Sequence, residues 1–203
     1  MNAFMWVVAS VTMNPLEWVA AALGIVNVAL VVRRSIWNYP FGLAMVSLYF
    51  FVFFEARLYS DALLQIFFFA VQLYGWRNWL RAKQAAGEVP VAVLTPRARL
   101  AWAGATAAAS LIWGLAMARY TDAAAPMIDA GIAGMSIAAQ ILMARRMIEN
   151  WVLWILVDAI AIGLFASRGL YPTSALYALF LLLSIAGLVG WRRALRAQAG
   201  AAA

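Results

Sequence analysis

Cysteine and histidine are both absent from the 203 residues. The first absence excludes a disulfide framework and thiolate chemistry. The second removes the commonest metal ligand and the usual neutral-pH proton shuttle. Lysine occurs once, as Lys83 in a polar stretch, so none is placed for an intramembrane Schiff base. Nothing matches the phosphate-binding pattern GxxxxGK[ST], which excludes ATP hydrolysis by that route. Charge is scarce as well: 11% of residues are charged and 67% are hydrophobic, against about 25% and 45–50% in soluble domains. The chain reads as an all-α polytopic membrane protein with no room for a soluble domain. An integral-membrane enzyme is disfavoured by the missing Cys and His and by the lack of polar clusters at one interface. No metal or other cofactor is expected.

A helix needs roughly 20 apolar residues to cross the hydrocarbon. That ruler finds seven spans, near 16–32, 37–55, 59–78, 99–118, 126–143, 150–167 and 171–191. Residues 1–15 form a short leading segment with no basic n-region, a poor fit to a cleaved signal. The stretch 81–98, broken by Gly87, Pro90 and Pro96, is a polar linker, and 194–203 is a C-terminal tail. Of the 15 basic residues, all but Arg57, Arg119 and Arg168 fall on one side of this plan. Cytoplasmic loops carry the Lys/Arg excess, so the expectation is N-out and C-in with a cytoplasmic linker. Topology thus accounts for the net charge of +7 without nucleic acid as a partner.

An internal repeat overlies the spans. At an offset of 112, Arg33-Arg34 fall on Arg145-Arg146, Ile36 on Ile148, Asn38 on Asn150, and Leu58-Tyr59 on Leu170-Tyr171. A three-residue insertion then brings Gly75-Trp76 onto Gly190-Trp191. An offset covering four spans keeps the membrane orientation. The expected plan is therefore a parallel 3+1+3 repeat, units 16–80 and 126–193 joined by helix 99–118. Transporters with this kind of repeat bind substrate near the midplane, between the units.

Polar residues within the spans are the candidates for function. The sixth span, ENWVLWILVDAIAIGLF, carries an aspartate near its middle, where insertion costs about 2.5–3.5 kcal/mol. At 100° per residue, Trp151, Trp154 and Asp158 lie within about 60° of one another along roughly 10 Å of axis. Two indole faces and a carboxylate on one stripe suit a flat organic cation, through stacking, cation–π attraction and a counter-charge. Competing roles are an interfacial belt position for Trp151, helix packing for Trp154 and a structural hydrogen bond for Asp158. Gln65 and Gln72 share a face of the third span, where buried amides either join helices or line a cavity. Asn150 and Tyr177 are further polar candidates; Asn27, Asp129 and Gln140 are weaker ones. Glu149 is expected to pair with Arg145 or Arg146 at a helix end.

The run ENWVLW at 149–154, the stretch LYSDALLQIFFFAVQLYGWRNW at 58–79 and the 3+1+3 plan resemble the Pnu-type vitamin transporters. The likeness spans about residues 16–193. It implies a homotrimer of seven-helix protomers in the bacterial inner membrane, with a substrate site in the core of each. It also implies facilitated diffusion of a vitamin, with a cytosolic kinase trapping the product. By motif, Trp151 and Trp154 would be the aromatic pair at the ligand and Gln65 a polar lining residue. Two positions depart from the pattern. Asp158 stands where nicotinamide riboside carriers often have Asn, and Ala186-Gly187 where an Asn-Gly pair is common. Nicotinamide riboside and thiamine are both aromatic cations, and the expected substrates are these two in that order. Uncharged riboflavin fits less well beside a mid-span acid. A vitamin-binding subunit dependent on an external ATPase is the alternative of another class, disfavoured by the absence of a coupling motif.

Overall fold

The computed structural model describes residues 15–55, 59–121 and 125–201. The segment 1–14, with its expected lack of a signal, and Arg57 lie outside the described residues. The described residues form seven helices: α1 Pro15–Val32, α2 Asn38–Glu55, α3 Tyr59–Ala86, α4 Pro96–Tyr120, α5 Pro126–Ala144, α6 Glu149–Ser167 and α7 Tyr171–Ala201. Four of them, α4 to α7, are long and apolar enough to cross a membrane by length and composition. Helix α1 adds an apolar run over Trp18–Val32. Large apolar side chains point outward on every helix, among them Phe51, Leu63, Leu100, Ile112 and Leu182. Water would not tolerate so much exposed apolar surface; acyl chains do.

Local sequence sets the helix ends. Thr95 caps α4 by accepting from the Ala98 N–H at 3.3 Å, with Pro96 at the first position, where its missing N–H costs nothing. Helix α1 ends in a Schellman motif. The Ser35 N–H donates to the Leu30 carbonyl at 2.9 Å and the Arg34 N–H to the Val31 carbonyl at 2.9 Å. Arg34 takes the left-handed position that glycine usually fills, at φ 55. Helix α5 ends the same way: Met147 donates to Leu142 at 2.9 Å, Arg146 to Met143 at 2.8 Å, and Arg146 has φ 64. Each left-handed arginine costs about 1–2 kcal/mol of backbone strain. The strain places a guanidinium at each corner.

The likeness between the two corners continues at the same offset. Asn38 Nδ2 donates to the Ser35 carbonyl and Asn150 Nδ2 to the Met147 carbonyl, both at 2.6 Å. Tyr39 meets Trp79 edge-on at 5.5 Å and 88°, and Trp151 meets Trp191 at the same distance and angle. Trp79 Nε1 donates to the Met143 carbonyl at 3.1 Å, while Trp191 Nε1 donates to the Val31 carbonyl at 3.2 Å. Each segment thus holds the other's first helix. At the offset of 112, without the expected three-residue insertion, Trp79 falls on Trp191 and Gly75 on Gly187, and it is Trp79 that makes the bond resembling that of Trp191.

Helices α1 to α3 pack on one another, as do α5 to α7, and the two sets meet through α1 on α7 and α3 on α5. Helix α4 lies outside, against α5. Two boundaries differ from the sequence reading. Helix α3 continues to Ala86, and the supposed tail is the last part of α7, helical to Ala201. The stretch between α3 and α4 turns at Gly87, φ 76, and then runs extended against the α5–α6 corner. Val89 and Val91 in it are buried among Trp79, Trp151 and Trp191. A segment that looks like a linker is part of the core.

Candidate functional site

A cavity of about 200 Å³ lies between the two helix sets, lined from α1, α2, α3, α5, α6 and α7. It is smaller than the usual small-molecule site, which runs from about 300 Å³ upward. Trp151, Trp154 and Asp158 line it from α6, Gln72 from α3 and Tyr177 from α7. The sequence stripe on the sixth span therefore faces a hollow.

Trp151 is 1% exposed, which rules out a headgroup-belt position. Its ring lies between Trp191 and the backbone of α7 at Gly187, where an added Cβ would come within 2.5 Å of three indole carbons. Glycine is required there by close approach, not by backbone torsion. The Trp151 Nε1 donor has no hydrogen-bond partner among the described residues. One turn on, Trp154 packs half-buried against the same cluster. Asp158 is 3% exposed and accepts a hydrogen bond on Oδ2 from Ser184 Oγ at 3.0 Å. No Arg or Lys lines the cavity, and the ion pairs among the described residues, Arg34–Glu88 and Arg99–Glu149, lie elsewhere. Among the described residues the cavity carboxylate therefore meets no cationic side chain.

The opposite wall is amide-rich. Gln72, 3% exposed, has an Oε1 without a hydrogen-bond partner among the described residues. Asn27 lies beside it and donates through Nδ2 to the Asn38 carbonyl at 2.6 Å. A Cβ at Gly42 would overlap both amides, so this glycine gives them room. Gln140 from α5 also lines the cavity. Tyr177 stacks on Phe165 at 5.3 Å and meets Phe180 edge-on at 6.1 Å.

Two candidates lie away from the cavity. Gln65 shares a helix face with Gln72, but seven residues separate them by about 10 Å along the axis, and it is not part of the lining. Asn150 is wholly buried, yet its amide is turned into its own corner, on the Met147 carbonyl. Asp129 sits in the first turn of α5, outside the cavity lining. Glu149 pairs with Arg99 at 2.8 Å and not with the neighbouring arginines, because the extended segment brings α4 alongside it. Ser184 and Phe180 join the lining without having been singled out. Ser184 lies seven residues after Tyr177, a same-face spacing that could have pointed to it.

Comparison with known proteins gives a consistent result. A family profile described as nicotinamide mononucleotide transporter matches residues 14–193. The nicotinamide riboside transporter PnuC of Escherichia coli (strain K12) is 32% identical, over 87% of this chain and 85% of that protein. The riboflavin/roseoflavin transporter RibM of Streptomyces davaonensis is also 32% identical, over 86% of this chain and 83% of its own length. A crystal structure of the vitamin B3 transporter PnuC superposes with a TM-score of 0.74 at 30% identity, covering 89% of this chain and 82% of that one. With a profile match across nearly its whole length, the chain belongs to the PnuC-type family of multi-pass inner-membrane transporters and is not an enzyme.

Proposed function

We propose that this protein takes up a cationic B-vitamin precursor, nicotinamide riboside first, by facilitated diffusion through the cavity between its two helix sets. The observation that carries the reading is the cavity itself: two indoles and a buried carboxylate on α6, with no basic residue among the described residues of the lining. A carboxylate in a low-dielectric site is costly without a counter-charge. A pyridinium ring lying on the indoles supplies one and gains cation–π attraction of about 2 kcal/mol when desolvated. The unpartnered Gln72 Oε1 and Trp151 Nε1 offer an acceptor and a donor to a polar, hydroxylated ligand. Trp151, Trp154, Asp158, Gln72 and Tyr177 are the contacts we assign, with Gln65 and Asn150 as framework.

The matched corners and reciprocal tryptophan bonds support a parallel 3+1+3 arrangement of seven spans, units 16–80 and 126–193 around linker 81–98 and helix 99–118. The distribution of arginines supports N-out and C-in. Assembly as a homotrimer and trapping by a cytosolic kinase come with the family resemblance and belong to the same proposal.

A second reading, riboflavin, is favoured by the RibM relative. Against it stand the cavity volume, small for a three-ring flavin, and the carboxylate, which an uncharged ring leaves unmatched. Calorimetry of purified protein with nicotinamide riboside, thiamine and riboflavin decides among them. The expected order is nicotinamide riboside, then thiamine, then riboflavin; tightest binding of riboflavin refutes the cationic reading. Uptake by proteoliposomes containing this protein alone is expected, and activity only with an added ATPase would defeat facilitated diffusion.

A further inference from the structure

The extended segment after α3 touches both helix sets at once. From the first set, the Arg34 guanidinium donates to the Val89 carbonyl at 3.0 Å and pairs with Glu88 at 3.2 Å. On the second, the Ala92 N–H donates to the Arg146 carbonyl at 3.0 Å, and the Ile148 N–H to the Ala92 carbonyl at 2.9 Å. These two bonds make a parallel bridge between Ala92 and Met147. The Leu94 N–H donates to Glu149 Oε1 at 3.1 Å, the oxygen that also holds Arg99 at the start of α4. Between these anchors Val89 and Val91 are buried, 3% and 6% exposed, in one cluster with Trp79, Trp191 and Trp151, of which Trp151 lines the cavity. Both left-handed arginine corners meet this one segment, Arg34 through its side chain and Arg146 through its carbonyl.

We infer that residues 88–94 are a strap that closes the cytoplasmic exit of the cavity and must detach for substrate to leave on that side. The inference rests on the N-out, C-in transport reading above. Three features make the strap releasable. Its anchors are two backbone bonds, the hydrogen bonds Arg34–Val89 and Leu94–Glu149, two partly exposed ion pairs worth about 0–1 kcal/mol each, and two buried valines. The anchors join helices that belong to different sets, so any separation of the sets strains them together. Glu149 begins α6, so release of Arg99 and Leu94 also frees the helix that carries Trp151, Trp154 and Asp158.

The chain contains no native cysteine, so paired cysteines can test the strap directly. Paired strands lie about 4.8 Å apart, within the Cα separation of about 4.4–6.8 Å that a disulfide accepts. In proteoliposomes, the oxidised Ala92→Cys/Met147→Cys variant is expected to bind nicotinamide riboside within about twofold of wild type. Its uptake is expected to fall more than tenfold and to return with reductant. Uptake at the wild-type rate while cross-linked overturns the inference, and so does loss of binding together with uptake. Should the disulfide not form, a Val91→Cys variant reads the same motion. A membrane-impermeant maleimide on the cytoplasmic side is expected to label it faster during turnover than without substrate, and equal rates overturn the strap. Wild-type vesicles that take up no nicotinamide riboside refute the substrate reading alone; labelling at position 91 with thiamine or riboflavin as the driving compound still tests the strap.

Discussion

Replacing Gly187 by alanine puts a methyl group 2.5 Å from three carbons of the Trp151 ring. Ordinary carbon contact needs about 3.5–4.0 Å, so ring and helix must part by about 1 Å. Trp191 blocks one direction, at 5.5 Å between ring centroids. The ring is left to move toward the cavity, which at about 200 Å³ has little room to lose. Overpacking of this kind costs about 1–3 kcal/mol of stability. A shift of about 1 Å in the stacking surface is expected to weaken nicotinamide riboside at least tenfold, about 1.4 kcal/mol. Gly75 supplies the control. A Cβ there would come within 2.6 Å of the Tyr39 hydroxyl, the same kind of collision at the matching position, but Tyr39 does not line the cavity. Both variants should unfold at lower temperature in a thermal-shift assay, and only Gly187→Ala should lose affinity by calorimetry. If Gly75→Ala loses affinity equally, or Gly187→Ala binds like wild type while destabilised, Trp151 is not a ligand platform.

Other substitutions separate the remaining roles. Trp154→Ala should weaken binding about 10- to 100-fold, from the loss of about 1–3 kcal/mol of ring stacking, with the unfolding temperature nearly unchanged; unaltered affinity would remove Trp154 from the site. Asp158→Asn preserves shape and the hydrogen bond from Ser184, so calorimetry should show cationic ligands weakened about tenfold and an uncharged analogue unaffected. An equal loss for both would make Asp158 a structural residue. Trp79→Phe and Trp191→Phe each remove one bond to a carbonyl that keeps a second donor, Arg146 or Arg34. Each should cost about 1 kcal/mol and lower the unfolding temperature by similar amounts; a large loss from one alone would show that the two bonds are not equivalent.

The helices were legible because apolar runs of membrane length can hardly be anything else, and the α6 stripe because helical periodicity put three unusual residues on one side. What escaped depended on tertiary contact. Gln65 and Gln72 share a face, but spacing cannot say at what depth the cavity lies. Asn150 looked like a site residue because it is polar and adjacent to Trp151, yet its amide is used in stopping the chain at a corner. Those corners were hidden as well, since arginine in place of glycine at the left-handed position gives no glycine signal. The insertion assumed in the repeat arose from WRNW, where either tryptophan aligns with the single one in WRRA and only the hydrogen bonds choose Trp79. The strap reads as a linker because Gly87, Pro90 and nearby charges dominate it, while its three valines, Val89, Val91 and Val93, alternate in a pattern too short to stand out.

On the proposed repeat, the functional asymmetry lies between α2 and α6. Counterparts at the offset of 112 are Gly42 with Trp154, Val46 with Asp158 and, on the third helices, Gln72 with Ser184; all six border the cavity or shape it. The framework positions kept their chemistry: the left-handed arginines, the corner asparagines, and the glycine under each large ring. The cavity positions did not. On one side a small residue and an aliphatic leave space, and on the other an indole and an acid fill it. On the proposed function, a planar cation entering between the sets meets the indoles and the acid together on α6, while its polar groups turn toward the amides of α1 and α3. On that proposal, two units with matching corners can rock about a shared centre and still hold an asymmetric ligand in one orientation, because the likeness lies in the corners and the difference in the lining.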